Sequence, residues 1–111
     1  MNGQKARVTV KREHSMYLSL NIFRVLLDGR QIGRIANAAQ ESFDVKPGKH
    51  KFQCHDSMGL MTLTEEVTFE IQAGEHYELT MRDEGSFLGR MFLLTAFTKK
   101  QRMFAVYVNK K

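Results

Sequence analysis

His50, Cys54, His55, Asp56 and His76 are the residues whose chemistry suits a metal centre or an activated nucleophile. On an extended strand, His50, Cys54 and Asp56 fall on one face and His55 on the other. Same-face neighbours then lie roughly 7 Å apart, too far to share one zinc ion without a bend. The plainer reading makes Cys54 a small buried hydrophobe and the histidines surface residues, with no metal and no cofactor. Glu65 and Glu66 are adjacent, so they point to opposite faces and form no acid-base pair on one strand. A glycine-rich phosphate loop, a GxSxG elbow and an HExxH pair are all missing. The sequence therefore predicts no catalytic residue, no enzyme and no small-molecule substrate.

A second group suits binding. Lys99, Lys100, Arg102, Lys110 and Lys111 flank Phe97, Phe104 and Tyr107. Basic residues interleaved with aromatics can grip single-stranded nucleic acid by phosphate contact and stacking. Beside the apolar run 87–97, the same mixture can dock on an anionic membrane surface. The plain alternative is a core hairpin with solvated lysines at its tip and end. Phe87, Leu88, Met91, Phe92, Lys99, Lys100 and Arg102 are the candidate partner-binding residues. The first expectation is a protein partner or self-association, as a dimer built on residues 87–108, because one edge of a small sandwich does not readily cover so long an apolar run. Nucleic acid and a membrane surface are the alternatives.

A chain of 111 residues is the size of one domain, and 42% apolar with 26% charged residues excludes wholesale disorder. A single cysteine leaves no internal disulfide. The first residues lack the apolar run of a signal peptide, and the 87–97 run contains Arg90 and is too short to span a bilayer. A cytoplasmic protein is expected, with a peripheral position at the inner membrane face as the other possibility. The net charge of +5 is unevenly placed. Residues 1–55 carry ten Lys or Arg against four Asp or Glu, residues 56–84 carry Arg82 against eight acids, and residues 85–111 carry six basic residues and no acid. Such blocks can pair within the fold, pair between molecules, or leave a basic face open.

These residues need elements to position them, and the pattern predicts strands. Val8 and Val10 alternate with polar neighbours. In residues 24–53 a strand enters Asp28-Gly29, where glycine takes the positive φ of a two-residue hairpin loop. Gly33, in the next strand, marks a bulge or a close approach. Phe43 and Val45 then lead to a turn at Pro47-Gly48, followed by His50, Phe52 and Cys54 on alternate positions. Leu63, Val67, Phe69 and Ile71 face one way and Thr64, Glu66, Thr68 and Glu70 the other, broken only at Glu65. After Ala73-Gly74-Glu75, Tyr77, Leu79 and Met81 alternate likewise, which predicts a hairpin with Glu66, Glu70 and Glu78 on its wet face. Residues 87–97 read as strand or helix; a closing hairpin with Phe104, Val106 and Val108 is preferred. The expected architecture is all-β: one Ig-like antiparallel β-sandwich domain, residues 1–111, of about seven to nine short strands.

V-L-L-D-G at 25–29, Gly33, V-K-P-G-K-H at 45–50 and V-T-F-E-I-Q-A-G-E at 67–75 together resemble PEGA-type domains, small bacterial Ig-like sandwiches. Related carboxypeptidase-regulatory-like sandwiches share the same rhythm. The likeness covers residues 22–82. The Pro-x-Gly-Ala tetrapeptide that names the family is absent, and the link 36–41 lacks the usual Thr-Pro. The resemblance implies a non-catalytic adhesive or scaffolding module, often attached to envelope proteins, with no catalytic residues to transfer.

Overall fold

The computed structural model describes residues 5–15, 20–58, 63–83 and 104–111. Among them are eight strands: β1 (Ala6–Arg12), β2 (Phe23–Leu27), β3 (Arg30–Ile35), β4 (Gln40–Val45), β5 (Gly48–His55), β6 (Val67–Ile71), β7 (His76–Asp83) and β8 (Phe104–Lys110). They form two four-stranded sheets, ordered β4-β1-β7-β8 (sheet A) and β3-β2-β5-β6 (sheet B). All pairings are antiparallel except β1 with β7, which is parallel. The strand number and the two-sheet sandwich match the expectation; the parallel pair departs from it.

Alternation explains the core. Val8 and Val10 of β1, Leu79 and Met81 of β7, and Phe104 of β8 are buried against Phe23 and Val25 of β2 and Phe52 and Cys54 of β5. Phe23 meets Phe104 edge-on at 5.1 Å, a favoured aromatic geometry. Arg12 is also wholly buried. Its guanidinium sits 3.5 Å from the Phe23 ring centroid and donates to the carbonyls of Asn21 (2.7 Å) and Ile35 (3.1 Å). A cation from sheet A thus holds one end of sheet B.

The β2–β3 turn has both central residues at positive φ, Asp28 at 55° and Gly29 at 81°, whose backbone twist matches the flanking strands. From this turn the register runs Leu27↔Arg30 and Leu26↔Gln31, then shifts to Val25↔Gly33 and Arg24↔Arg34. The shift is a bulge, and it reverses every side chain beyond it. Without it Arg34 would oppose Phe23 on the inner face; with it, Ile35 opposes Phe23 and Arg34 opposes Arg24. Both readings of Gly33 hold, because a Cβ there would lie 2.7 Å from Phe43 Cε1 across the sandwich.

Three expectations need correction. The β6–β7 connection is not a hairpin: β6 pairs with β5 in sheet B, while β7 lies between β1 and β8 in sheet A. Gly74, at φ 81°, turns the chain from one sheet to the other. Glu66 and Glu70 therefore share no face with Glu78. Nor does strand pairing run unbroken from residue 63, since β6 begins at Val67. Thr64 is buried rather than outward, with its Oγ1 accepting from the Cys54 backbone N–H at 3.0 Å. The candidate residues Phe87, Leu88, Met91, Phe92, Lys99, Lys100 and Arg102, and the strand-or-helix reading of 87–97, lie outside the described residues.

Candidate functional site

The two outer faces differ in how their charges are met. On sheet A, Thr9 Oγ1 lies 2.8 Å from Ser42 Oγ and 2.7 Å from His76 Nε2, linking β4, β1 and β7. This hydroxyl–imidazole chain has the residue types of a nucleophile and base, but the central Thr9 is itself buried on a sheet surface. It closes the face rather than opening a reaction site. Several charges around it are paired: Arg7 with Asp44 at 3.7 Å, Lys110 with Glu75 at 2.6 Å and Lys111 with Glu78 at 3.6 Å. Arg82 holds both carboxylate oxygens of Glu13, at 2.9 and 3.1 Å, and pulls that carboxyl below its usual range. The acidic block and the C-terminal lysines thus meet within one subunit, side by side on β7 and β8.

On sheet B, one pair stands at the turn end. His50 Nδ1 is 2.6 Å from Asp28 Oδ2, and its Nε2 is 2.6 Å from the Lys46 carbonyl oxygen. The Lys51 backbone N–H donates to the other Asp28 oxygen at 2.8 Å. Both ring nitrogens face acceptors, so the doubly protonated imidazolium satisfies the site best. Partial burial lowers the His50 pKa, but the Lys46 carbonyl and the Asp28 carboxylate outweigh it and raise the value above 6.5. The ring leans on Phe69 at 5.8 Å. An open groove of about 430 Å³ lies here, lined by Asp28, Gly29, Lys49, His50, Lys51, Glu66 and Thr68. With both nitrogens engaged, His50 offers no free base to the groove. It works as a clasp between the Asp28-Gly29 turn and the Pro47-Gly48 corner.

At the opposite end of sheet B the cations stand together. The register aligns Arg34 of β3, Arg24 of β2 and His55 of β5 in one row across the strands. Directly opposed like charges are destabilising unless an anion meets them. Arg24 Nε donates to the Ser57 carbonyl at 3.1 Å, which fixes the guanidinium over the end of β5. Along β5, outward Lys51 and Lys49 continue the line, with Glu70 of β6 opposite Lys49. Among the described residues none of Arg24, Arg34, Lys49 and Lys51 makes an ion pair. Beside the row, Leu20, Ile22 and Met58 are 97%, 45% and 72% exposed.

Of the residues with metal or nucleophile chemistry, Cys54 and Asp56 are buried and His50 is committed to Asp28. Among the described residues no group of three or more such ligands converges. Burial pushes the Cys54 thiol far above its ordinary range, and the nearby Arg12 only partly opposes this. The thiolate, which is the nucleophile, is therefore suppressed. Burial likewise lowers Arg12 to about 10, leaving it charged near neutral pH.

Sequence reading missed the Arg34–Arg24–His55 row, because only the bulge brings Arg34 outward opposite Arg24. The available signal was Gly33 itself, read together with the two-residue turn at Asp28-Gly29. No alternation reports Leu20 and Met58, which flank strands rather than lie in them.

No family model and no curated protein sequence matches this chain. Among solved structures, it is similar to the N-terminal domain of AlgF from P. aeruginosa, with a TM-score of 0.52 and 9% sequence identity over 99% of each chain. At that identity the likeness is one of fold alone.

Proposed function

We propose that this domain is a non-catalytic binding module that engages an anionic partner through the cationic outer side of sheet B. The observation that carries this reading is the contrast in charge pairing. Arg24 and Arg34 oppose each other and have no ion-pair partner among the described residues, whereas Arg7, Arg82, Lys110 and Lys111 on sheet A each meet an acid. A cationic surface left unneutralised raises the local concentration of anions and speeds their capture. The PEGA-type resemblance agrees with an adhesive rather than a catalytic role.

Retention on immobilised heparin, a generic polyanion, tests this. The double variant Arg24→Gln/Arg34→Gln should elute at clearly lower salt than the parent. Arg7→Gln/Arg82→Gln, with the same change in net charge, should elute near the parent. Equal shifts for the two variants would mean that the protein is merely basic and that sheet B has no special part.

A further inference from the structure

We propose that the end of sheet B carrying Leu20, Ile22 and Met58 docks on an anionic lipid surface, with Arg24 and Arg34 holding headgroup phosphates. This rests on the reading that the cationic side of sheet B binds an anion, and it names the source of that anion.

Leu20 and Ile22 immediately precede β2, and Met58 closely follows β5. Because β2 and β5 are antiparallel, the two loops meet at the same end. They are tied there: Asn21 Oδ1 accepts from the Ser57 N–H at 3.2 Å, and Arg24 Nε donates to the Ser57 carbonyl at 3.1 Å. Asn21 is further held through its carbonyl by the buried Arg12. The apolar side chains thus project from anchored backbone. A Leu that is 97% exposed forms little continuous surface with its neighbours, so it offers a protein partner little shape to match. A fluid headgroup boundary needs no matching shape; it takes isolated apolar side chains flanked by basic ones.

The charges fit the same occupant. Guanidinium groups match phosphate oxygens through paired N–H donors, and Arg24 and Arg34 stand directly opposed. His55 completes the row. Among the described residues, stacking of nucleobases finds no platform here, because Phe23, Phe52 and Phe69 of this sheet are all buried.

Co-sedimentation of the full chain with phosphatidylcholine vesicles, with and without phosphatidylglycerol, is the experiment. The protein should bind the anionic vesicles and not the neutral ones. Arg34→Gln should reduce partitioning about fivefold, the factor equivalent to about 1 kcal/mol for one basic residue at a membrane surface. Leu20→Asp should reduce it at least as far, with the circular dichroism spectrum unchanged because Leu20 is 97% exposed and packs on none of the described residues. Arg82→Gln, on the other sheet, should bind like the parent. Absence of vesicle binding overturns the proposal. If heparin retention still depends on Arg24 and Arg34, the anionic-partner reading survives that failure; if it does not, both fall. Vesicle binding indifferent to Leu20→Asp and Arg34→Gln would place the contact elsewhere and also overturn it. So would binding of a single-stranded oligonucleotide, sensitive to Arg34→Gln, by protein that ignores vesicles.

Discussion

Sheets A and B contribute comparable inner faces to one core and have opposite outer faces. On sheet A, Arg7, Arg82, Lys110 and Lys111 each meet an acid, with Lys110 and Lys111 reaching back to Glu75 and Glu78. On sheet B, Arg34 is set against Arg24 by a bulge, and the one ion pair among the described residues is His50 with Asp28. Exposed ion pairs add little to stability, so the pairing on sheet A does not hold the fold together. Its effect is to leave that face electrically quiet. The lesson of the pair is that net charge locates nothing; the register of two strands does.

The largest effect is expected at Arg12, the cation that belongs to sheet A but is used by sheet B. Arg12→Ala removes hydrogen bonds to the buried Ile35 carbonyl and the part-buried Asn21 carbonyl and the contact with the Phe23 ring, and leaves a cavity. It should cost on the order of 3 kcal/mol by urea denaturation. A loss below about 1 kcal/mol would show that the sheets are held by apolar contact alone.

The His50 clasp gives an intermediate effect with a pH signature. Its folded-state pKa is raised, so its contribution is complete below the unfolded value of about 6.5 and is lost as pH rises through the folded value. For Asp28, partial burial raises the pKa, but His50 and the Lys51 amide outweigh it and hold the carboxyl below 3.8. Its contribution is complete above about 3.9 and is lost as pH falls through the folded value. The pair therefore stabilises most between about pH 4 and 6.5. His50→Gln should lower the urea midpoint clearly at about pH 5.5 and much less at about pH 8.5. An equal difference at both pH values would mean that His50 acts by shape rather than charge.

The smallest effect sharpens the contrast directly. Arg82→Gln breaks a bidentate pair and should lower the melting temperature slightly at low salt. Arg24→Gln relieves an opposed cation and should leave the melting temperature unchanged or raise it. A marked fall for Arg24→Gln would mean that its bond to the Ser57 carbonyl is structural and that the row is not held ready for a ligand.

Much of the fold was legible because burial alternates. Val8, Val10, Phe52, Cys54, Leu79 and Met81 are where period-two reading puts them. The turn residues were legible too, since Gly29 and Gly48 adopt backbone angles that favour glycine. Alternation says which side chains go inward, but not which sheet a strand joins. Gly74 serves a crossing between sheets as well as it would serve a hairpin, so alternation alone joins β6 and β7 into one sheet, which they do not share. The candidate site was less legible still. Arg24 and Arg34 are ten positions apart with nothing to mark them as neighbours until a bulge of one residue is counted.

The parallel pairing of β1 with β7 carries a consequence for the order in which the molecule is made. Sheet B is assembled around two local hairpins, β2 with β3 and β5 with β6, each able to close soon after its strands are synthesised. In sheet A, β1 must find β4 on one side and β7 on the other, strands that emerge long after it. Strand β1, which precedes the other seven described strands in the chain, is thus among the last to be enclosed, its second neighbour arriving only with His76–Asp83. Until then the inner face of sheet B has only β1 and β4 of sheet A to lie against.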